Sequence, residues 1–351
     1  MRFTGIKKVT AVLLMLLLAI MFTGCSSSKT NEPVDNQANT QQSSTFTVTD
    51  QAGRQVEIPA NVDSVAMTWG PAANFVLALG KGNIVTGINY TSDFAAKVAP
   101  NLANVGTVGK GKPDMEALAK SKPDVFIHKA NDTQTLDAVQ KLGIAAVGIY
   151  SEDPEDMIIA TELVGKVLGA EDKATQLINF YNEKNAFAKN LIKDIPANER
   201  KTAIVMGSDL GKVANGTMIQ SYLIETAGGI NMAKDIESKE TWPTVGTERI
   251  FSWNPDYIFC ATSNQATYKI KELKMDASFA NLAAVKNNRI ALIPSTQDLW
   301  DFPGVQSALG TLWMLNQMYP EKYTEEDLIK DVDAFYNMAY GMNFDRQWLG
   351  Y

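Results

Sequence analysis

The sequence predicts an α/β protein of two lobes with parallel sheets, joined by one long helix, with a ligand cleft between the lobes. Three observations predict it. First, Glu116-Ala-Leu-Ala-Lys-Ser-Lys-Pro-Asp-Val-Phe-Ile-His128 is echoed by Glu248-Arg-Ile-Phe-Ser-Trp-Asn-Pro-Asp-Tyr-Ile-Phe-Cys260, at a constant offset of 132 residues. Each copy reads as a short helix headed by an acidic residue, a Pro-Asp turn and a buried strand, because proline ends the helix and favours extended backbone before it. Second, each copy is followed by a helical pattern and another apolar run, LDAVQKLG then IAAVGIY, and FANLAAVKNN then RIALIPS. Strands that alternate with helices form parallel sheets, here two Rossmann-like units. Third, Glu171 to Ile195 places Ala174, Leu177, Ile178, Tyr181, Ala188, Leu191 and Ile192 at helical spacing without Pro or Gly, and stops at Pro196.

Taken in order, residues 1–24 read as an export leader: Arg2, Lys7 and Lys8 precede an apolar stretch from Val9 to Phe22, too short for a flanked spanning helix. Phe22-Thr23-Gly24-Cys25 resembles a bacterial lipobox, which implies cleavage before Cys25 and lipid on its sulfur. The rest of 25–45 is polar and lacks aromatics, so it cannot bury a core. As a flexible tether of some twenty residues it would reach about 25 Å from a membrane. Residues 46–170 then form the N-terminal lobe, 171–195 the linker helix and 196–351 the C-terminal lobe. The chain of 351 residues carries a formal charge of −7, which becomes −10 without the leader's three basic residues. An acidic chain without a basic run argues against nucleic acid. With Cys25 lipidated, Cys260 has no partner for a disulfide and reads as a small buried hydrophobe.

Ligands of open α/β sheets sit beyond the carboxyl ends of the strands, so those loops supply the candidate site. After the strand Val62–Met67, Thr68-Trp69-Gly70 forms the turn into a helix opened by Pro71, and Trp69 projects at the cleft or packs beneath the turn. Tyr90 follows the strand Ile84–Ile88. In the second lobe, Trp300 and Asp301 lie between the strand Arg289–Ile293 and a helix opened by Pro303. Trp242 precedes Glu248, at the cleft edge or as a loop stabiliser, and Met206-Gly207-Ser208-Asp209 ends the strand Thr202–Val205. Several rings about one cleft suit a large flat ligand, since they bury area with little rotamer entropy. His128, the only histidine, ends a strand beside Lys129. It is either one contact to a ligand or a buried strand-end residue.

The paired glutamates, the single helical linker, Val48-Thr49-Asp50-Gln51-Ala52-Gly53-Arg54 and Thr226-Ala227-Gly228-Gly229-Ile230-Asn231 together resemble the vitamin B12, iron-siderophore and haem binding proteins of ABC importers. The resemblance covers residues 46 to 351. It implies a monomeric solute-binding lipoprotein, outside the cytoplasm and anchored through Cys25, that hands a metal chelate to a dimeric permease with its ATPase. It also implies that Glu116 and Glu248 dock into arginine pockets of that permease, and that the Trp242 and Trp300–Asp301 loops border the ligand. The protein needs no cofactor of its own.

Other classes fit less well. One histidine cannot build a multi-histidine cage for a free transition metal. A Ser-His-Asp or Cys-His catalyst would have to use that same residue, and no Gly-x-Ser-x-Gly elbow is present. Gly106-x-x-Gly109-x-Gly111 lacks the Lys-Ser/Thr of a phosphate loop and reads as turns before Asp114. An enzyme is therefore not expected. Two alternatives remain: an oxyanion (molybdate or tungstate) binding protein of the same fold, and a surface adhesin or sensor domain.

Overall fold

The computed structural model describes residues 44–261, 267–294 and 298–349. The leader, Cys25 and all but the end of the tether lie outside the described residues, as does Ser295-Thr296-Gln297. Among the described residues no helix is long and apolar enough to cross a membrane.

The chain begins with an antiparallel hairpin, β1 (Thr45–Thr49) and β2 (Gln55–Pro59), whose alternation buries Val48, Val56 and Ile58. The Val48–Arg54 motif is the clamp that holds this hairpin to the first lobe. Asp50 Oδ1 accepts from the Ala52 and Arg54 N–H groups, Gly53 takes a left-handed φ of +76°, and Asp50 Oδ2 accepts from Gly148 N at 3.0 Å. The lobe continues with β3 (Val65–Met67), α1 (Gly70–Ala78), β4 (Val85–Gly87), α2 (Asp93–Val98), a short hairpin of β5 (Gly109–Lys110) and β6 (Lys112–Pro113), α3 (Met115–Ser121), β7 (Val125–Lys129), α4 (Thr133–Gln140), β8 (Ala145–Ile149) and α5 (Pro154–Val167). Its sheet is parallel, in the order β4-β3-β7-β8.

The linker α6 (Glu171–Ile192) leads to the second lobe: β9 (Thr202–Met206), α7 (Ile219–Thr226), β10 (Ile230–Asn231), α8 (Thr247–Trp253), β11 (Tyr257–Cys260), α9 (Ile270–Met275), α10 (Ala283–Lys286) and β12 (Ile290–Leu292). This sheet is also parallel, in the order β10-β9-β11-β12. Both sheets thus share one topology, second-first-third-fourth, as the sequence repeat predicts. The helix α6 ends three residues before Ile195, because Pro196 disfavours helical backbone at the residue before it.

The repeat has a physical cause at its Pro-Asp step. Helices α3 and α8 both end on a left-handed residue, Lys122 (φ 45°) and Asn254 (φ 42°). The aspartate that follows each proline then staples the third strand to the first. Asp124 Oδ2 accepts from Ser64 N and Ser64 Oγ at 2.9 and 2.8 Å, while Asp124 N donates back to Ser64 Oγ. Asp256 Oδ2 does the same with Thr202 N and Oγ1 at 2.9 and 3.0 Å, and Asp256 N returns a bond to Thr202 Oγ1.

The lobes are bridged by more than α6. Helix α11 (Ser307–Met318) is buried nearly all round, and α12 (Glu325–Tyr340) starts from a Thr324–Asp327 capping box. Helix α12 packs on α6 through Phe180–Phe335 (5.3 Å) and the Lys184–Asp331 ion pair (3.0 Å). It also reaches the first lobe, where Phe94 meets Tyr340 edge-on at 5.0 Å. One apolar cluster therefore runs through both lobes, from Met67 and Val76 to Leu309 and Leu312. A shared core resists large hinge motion, because packed interiors do not deform continuously.

Candidate ligand-binding site

In a doubly wound sheet, successive connections leave to opposite faces at one point and open a crevice beyond the strand ends. In each lobe that point lies beside the first strand, β3 or β9. A cavity of about 460 Å³ stands between the lobes at these ends. The first lobe contributes Thr68, Trp69 and Gly70 after β3, Asn89 and Tyr90 after β4, Phe94 of α2, Lys110 of the β5–β6 hairpin and Glu152 after β8. The second contributes Met218, Gln220, Trp242, Asp298, Leu299, Phe302 and Pro303.

Three residues singled out from the sequence meet here. Trp69 is the half-buried N-cap of α1, where Pro71 needs no hydrogen-bond acceptor. Tyr90 is the most open ring, 52% exposed. Trp242 reaches the cavity because Gly207 leaves it room: a β-carbon on Gly207 would stand 2.7 Å from indole Cε3. From the opposite side, Phe302 comes within 3.7 Å of the place where a β-carbon on Gly70 would stand.

The other four lie elsewhere. His128 is fully buried, stacked on Phe126 at 5.5 Å, and is not among the residues that line the cavity. Its Nε2 is 3.1 Å from Asp132 Oδ2, and Asp132 in turn caps α4 by accepting from Thr135 N. Burial lowers the His128 pKa despite that carboxylate. Lys129 follows it on β7 and is absent from the lining. Trp300 is 1% exposed and packs against α12, its Nε1 donating to Tyr336 Oη at 3.4 Å. Asp301 is equally buried, and neither carboxyl oxygen has a hydrogen-bond partner among the described residues. The loop itself lines the cavity, but its turn from Leu299 O to Phe302 N directs Leu299 and Phe302 outward and the two residues between them into the core.

The wall also holds residues that sequence reasoning passed over. Lys110 follows Gly109, whose φ of +120° and close approach to Lys112 O admit only glycine; the Gly-Lys-Gly run was the available signal. Asp298 Oδ2 accepts from Tyr340 Oη at 2.7 Å, and burial pushes its pKa up to about 7. Glu152 is open to solvent at the rim, yet the protein around it raises its pKa too. Gln220 is 4% exposed; Nε2 donates to Asp301 O at 2.8 Å, while Oε1 has no partner among the described residues. Asn74 Nδ2 is likewise buried, unpartnered and on the wall. No cluster of three or more His, Cys, Asp or Glu able to hold a metal ion occurs among the described residues. The Cys260 thiol is buried, and that burial lifts its pKa to about 11.

The sequence pattern of the periplasmic binding proteins matches residues 65–296, two thirds of the chain. The chain belongs to that family. It is a substrate-binding protein of an ABC transporter, of a family of extracytoplasmic solute carriers that are not enzymes. Among curated relatives, the molybdate-binding protein MolA of Haemophilus influenzae is 22% identical, covering 85% of this chain and 91% of that one. The Fe(3+)-citrate-binding protein YfmC of Bacillus subtilis is 22% identical, covering 86% and 94%. Cobalamin- and iron(3+)-hydroxamate-binding proteins also match. Among solved structures, a periplasmic solute binding protein from Veillonella parvula superposes with a TM-score of 0.75 at 26% identity, over 88% of this chain and 96% of that one. As a periplasmic binding protein, the chain has a permease and an ATPase as partners.

Proposed function

We propose that this periplasmic binding protein is lipid-anchored through Cys25, captures a metal chelate (iron–siderophore, haem or corrinoid) in the interlobe cavity, and delivers it to the permease. One observation carries the ligand class: Trp69, Tyr90, Phe94, Trp242 and Phe302 wall a space of about 460 Å³. At roughly 30 Å³ per water, that is the volume of about fifteen waters, far more than a tetrahedral oxyanion fills. Rings placed on two lobes can sandwich a flat or greasy complex and bury it at small entropic cost. A metal already wrapped in a chelate needs from its carrier only rings and hydrogen bonds.

Delivery rests on Glu116 and Glu248, both exposed in the first turns of α3 and α8. Each stands six residues beyond a cavity residue on the same loop, Lys110 and Trp242, which are themselves related by the offset of 132. The two glutamates thus hold matching places in the two repeats, which suits docking onto a two-fold permease.

A second reading, molybdate capture, is favoured by the likeness to MolA. Purified protein decides between them. The absorbance spectrum and metal content come first, then tryptophan-quenching titrations with haem, cyanocobalamin, ferric hydroxamates and molybdate. Saturable quenching by a chelate, weakened about tenfold or more in Trp69→Ala and Trp242→Ala, is expected. Micromolar molybdate binding with no response to any chelate would reverse the assignment.

A further inference from the structure

We infer that the cleft selects a chelate without net negative charge, a neutral or cationic complex of the ferric hydroxamate or corrinoid kind; the inference rests on the chelate reading proposed above. The cavity's charges are few. Among its described lining residues Lys110, Glu152 and Asp298 alone ionise, and Lys110 is the one basic group, exposed at the rim. An anionic ligand of this size would need several charge-assisted donors to replace the water it loses. The wall offers it one ammonium and two carboxyls.

The carboxyls respond to ligand charge in opposite ways. Burial disfavours the ionised form of Asp298, and the protein around Glu152 disfavours that of Glu152. A cation beside them relieves that cost, whereas an anion beside them adds to it and demands a proton. Tyr340 holds Asp298 in place at 2.7 Å, so this carboxyl cannot swing away from an unwelcome guest.

The uncharged groups agree. The uncharged lining residues Thr68, Asn89, Ser92 and Thr241 supply hydroxyl and amide groups that suit the edges of a neutral complex.

The test is a titration of the purified protein with probes of graded charge: ferrioxamine B (cationic), ferrichrome and cyanocobalamin (neutral), and ferric enterobactin, haem and molybdate (anionic). At least one neutral or cationic probe is expected to bind about tenfold or more tighter than every anion, and Glu152→Lys is expected to narrow the gap by about tenfold. Tightest binding of an anionic chelate would overturn the charge selection and leave the chelate reading standing. Failure of every chelate would remove that reading and this inference with it.

Discussion

Asp301 carries a buried carboxyl with no hydrogen-bond partner among the described residues, and burial lifts its pKa to about 7. The folded protein therefore holds a proton there at pH values where the unfolded chain has released it. The unfolded chain binds fewer protons, so the stability present below about pH 4 is lost as pH rises toward 7, and levels off above. Asp301→Asn removes this dependence. Relative to the parent, the variant should gain about 2 kcal/mol between pH 5 and pH 8, read from denaturant melts at the two values. Residue types were legible in the sequence at this scale, but the direction of each side chain was not. Val125 and Ile127 face one side of β7 while Phe126 and His128 face the other; strand alternation permits either assignment. Likewise Trp300 and Phe302 share one loop, and a single turn sends the first to the core and the second to the cavity.

At the scale of elements, the Pro-Asp repeat was visible as a pattern, and its purpose emerges from the hydrogen bonds. Asp124 and Asp256 tie the third strand of each sheet to the start of the first, at the strand ends opposite the cavity, and so fix the register of the sheet that carries the cavity loops. Asp256→Ala leaves Thr202 N and Oγ1 without their acceptor. It should cost about 1.5–3 kcal/mol of stability, the range for bonds to a charged group, and a comparable loss is expected for Asp124→Ala; urea melts measure both. Strand and helix positions followed from periodicity, while ends moved by a few residues where Pro196 and the left-handed Lys122 and Asn254 act. The role of α12 was not legible. Its apolar stripe predicts burial, and only the fold shows that Phe335, Tyr336 and Tyr340 reach across to Phe180 and Phe94.

At the scale of the whole molecule, the proposed capture and docking functions use different residues. The cavity lies between matched lobes, and each lobe carries an exposed glutamate six residues along the chain from a lining residue. The apolar cluster shared through α6, α11 and α12 limits lobe closure to a modest shift. On the docking role proposed for Glu116 and Glu248, delivery depends on that surface rather than on a wide hinge. The most direct test pairs uptake of a bound chelate by cells carrying Glu116→Ala/Glu248→Ala with the affinity of the purified double variant. Uptake reduced about tenfold or more, with chelate affinity unchanged within about twofold, is predicted, because each exposed carboxylate contributes only about 0.3–1 kcal/mol to its own helix. Normal uptake by the double variant would contradict the account.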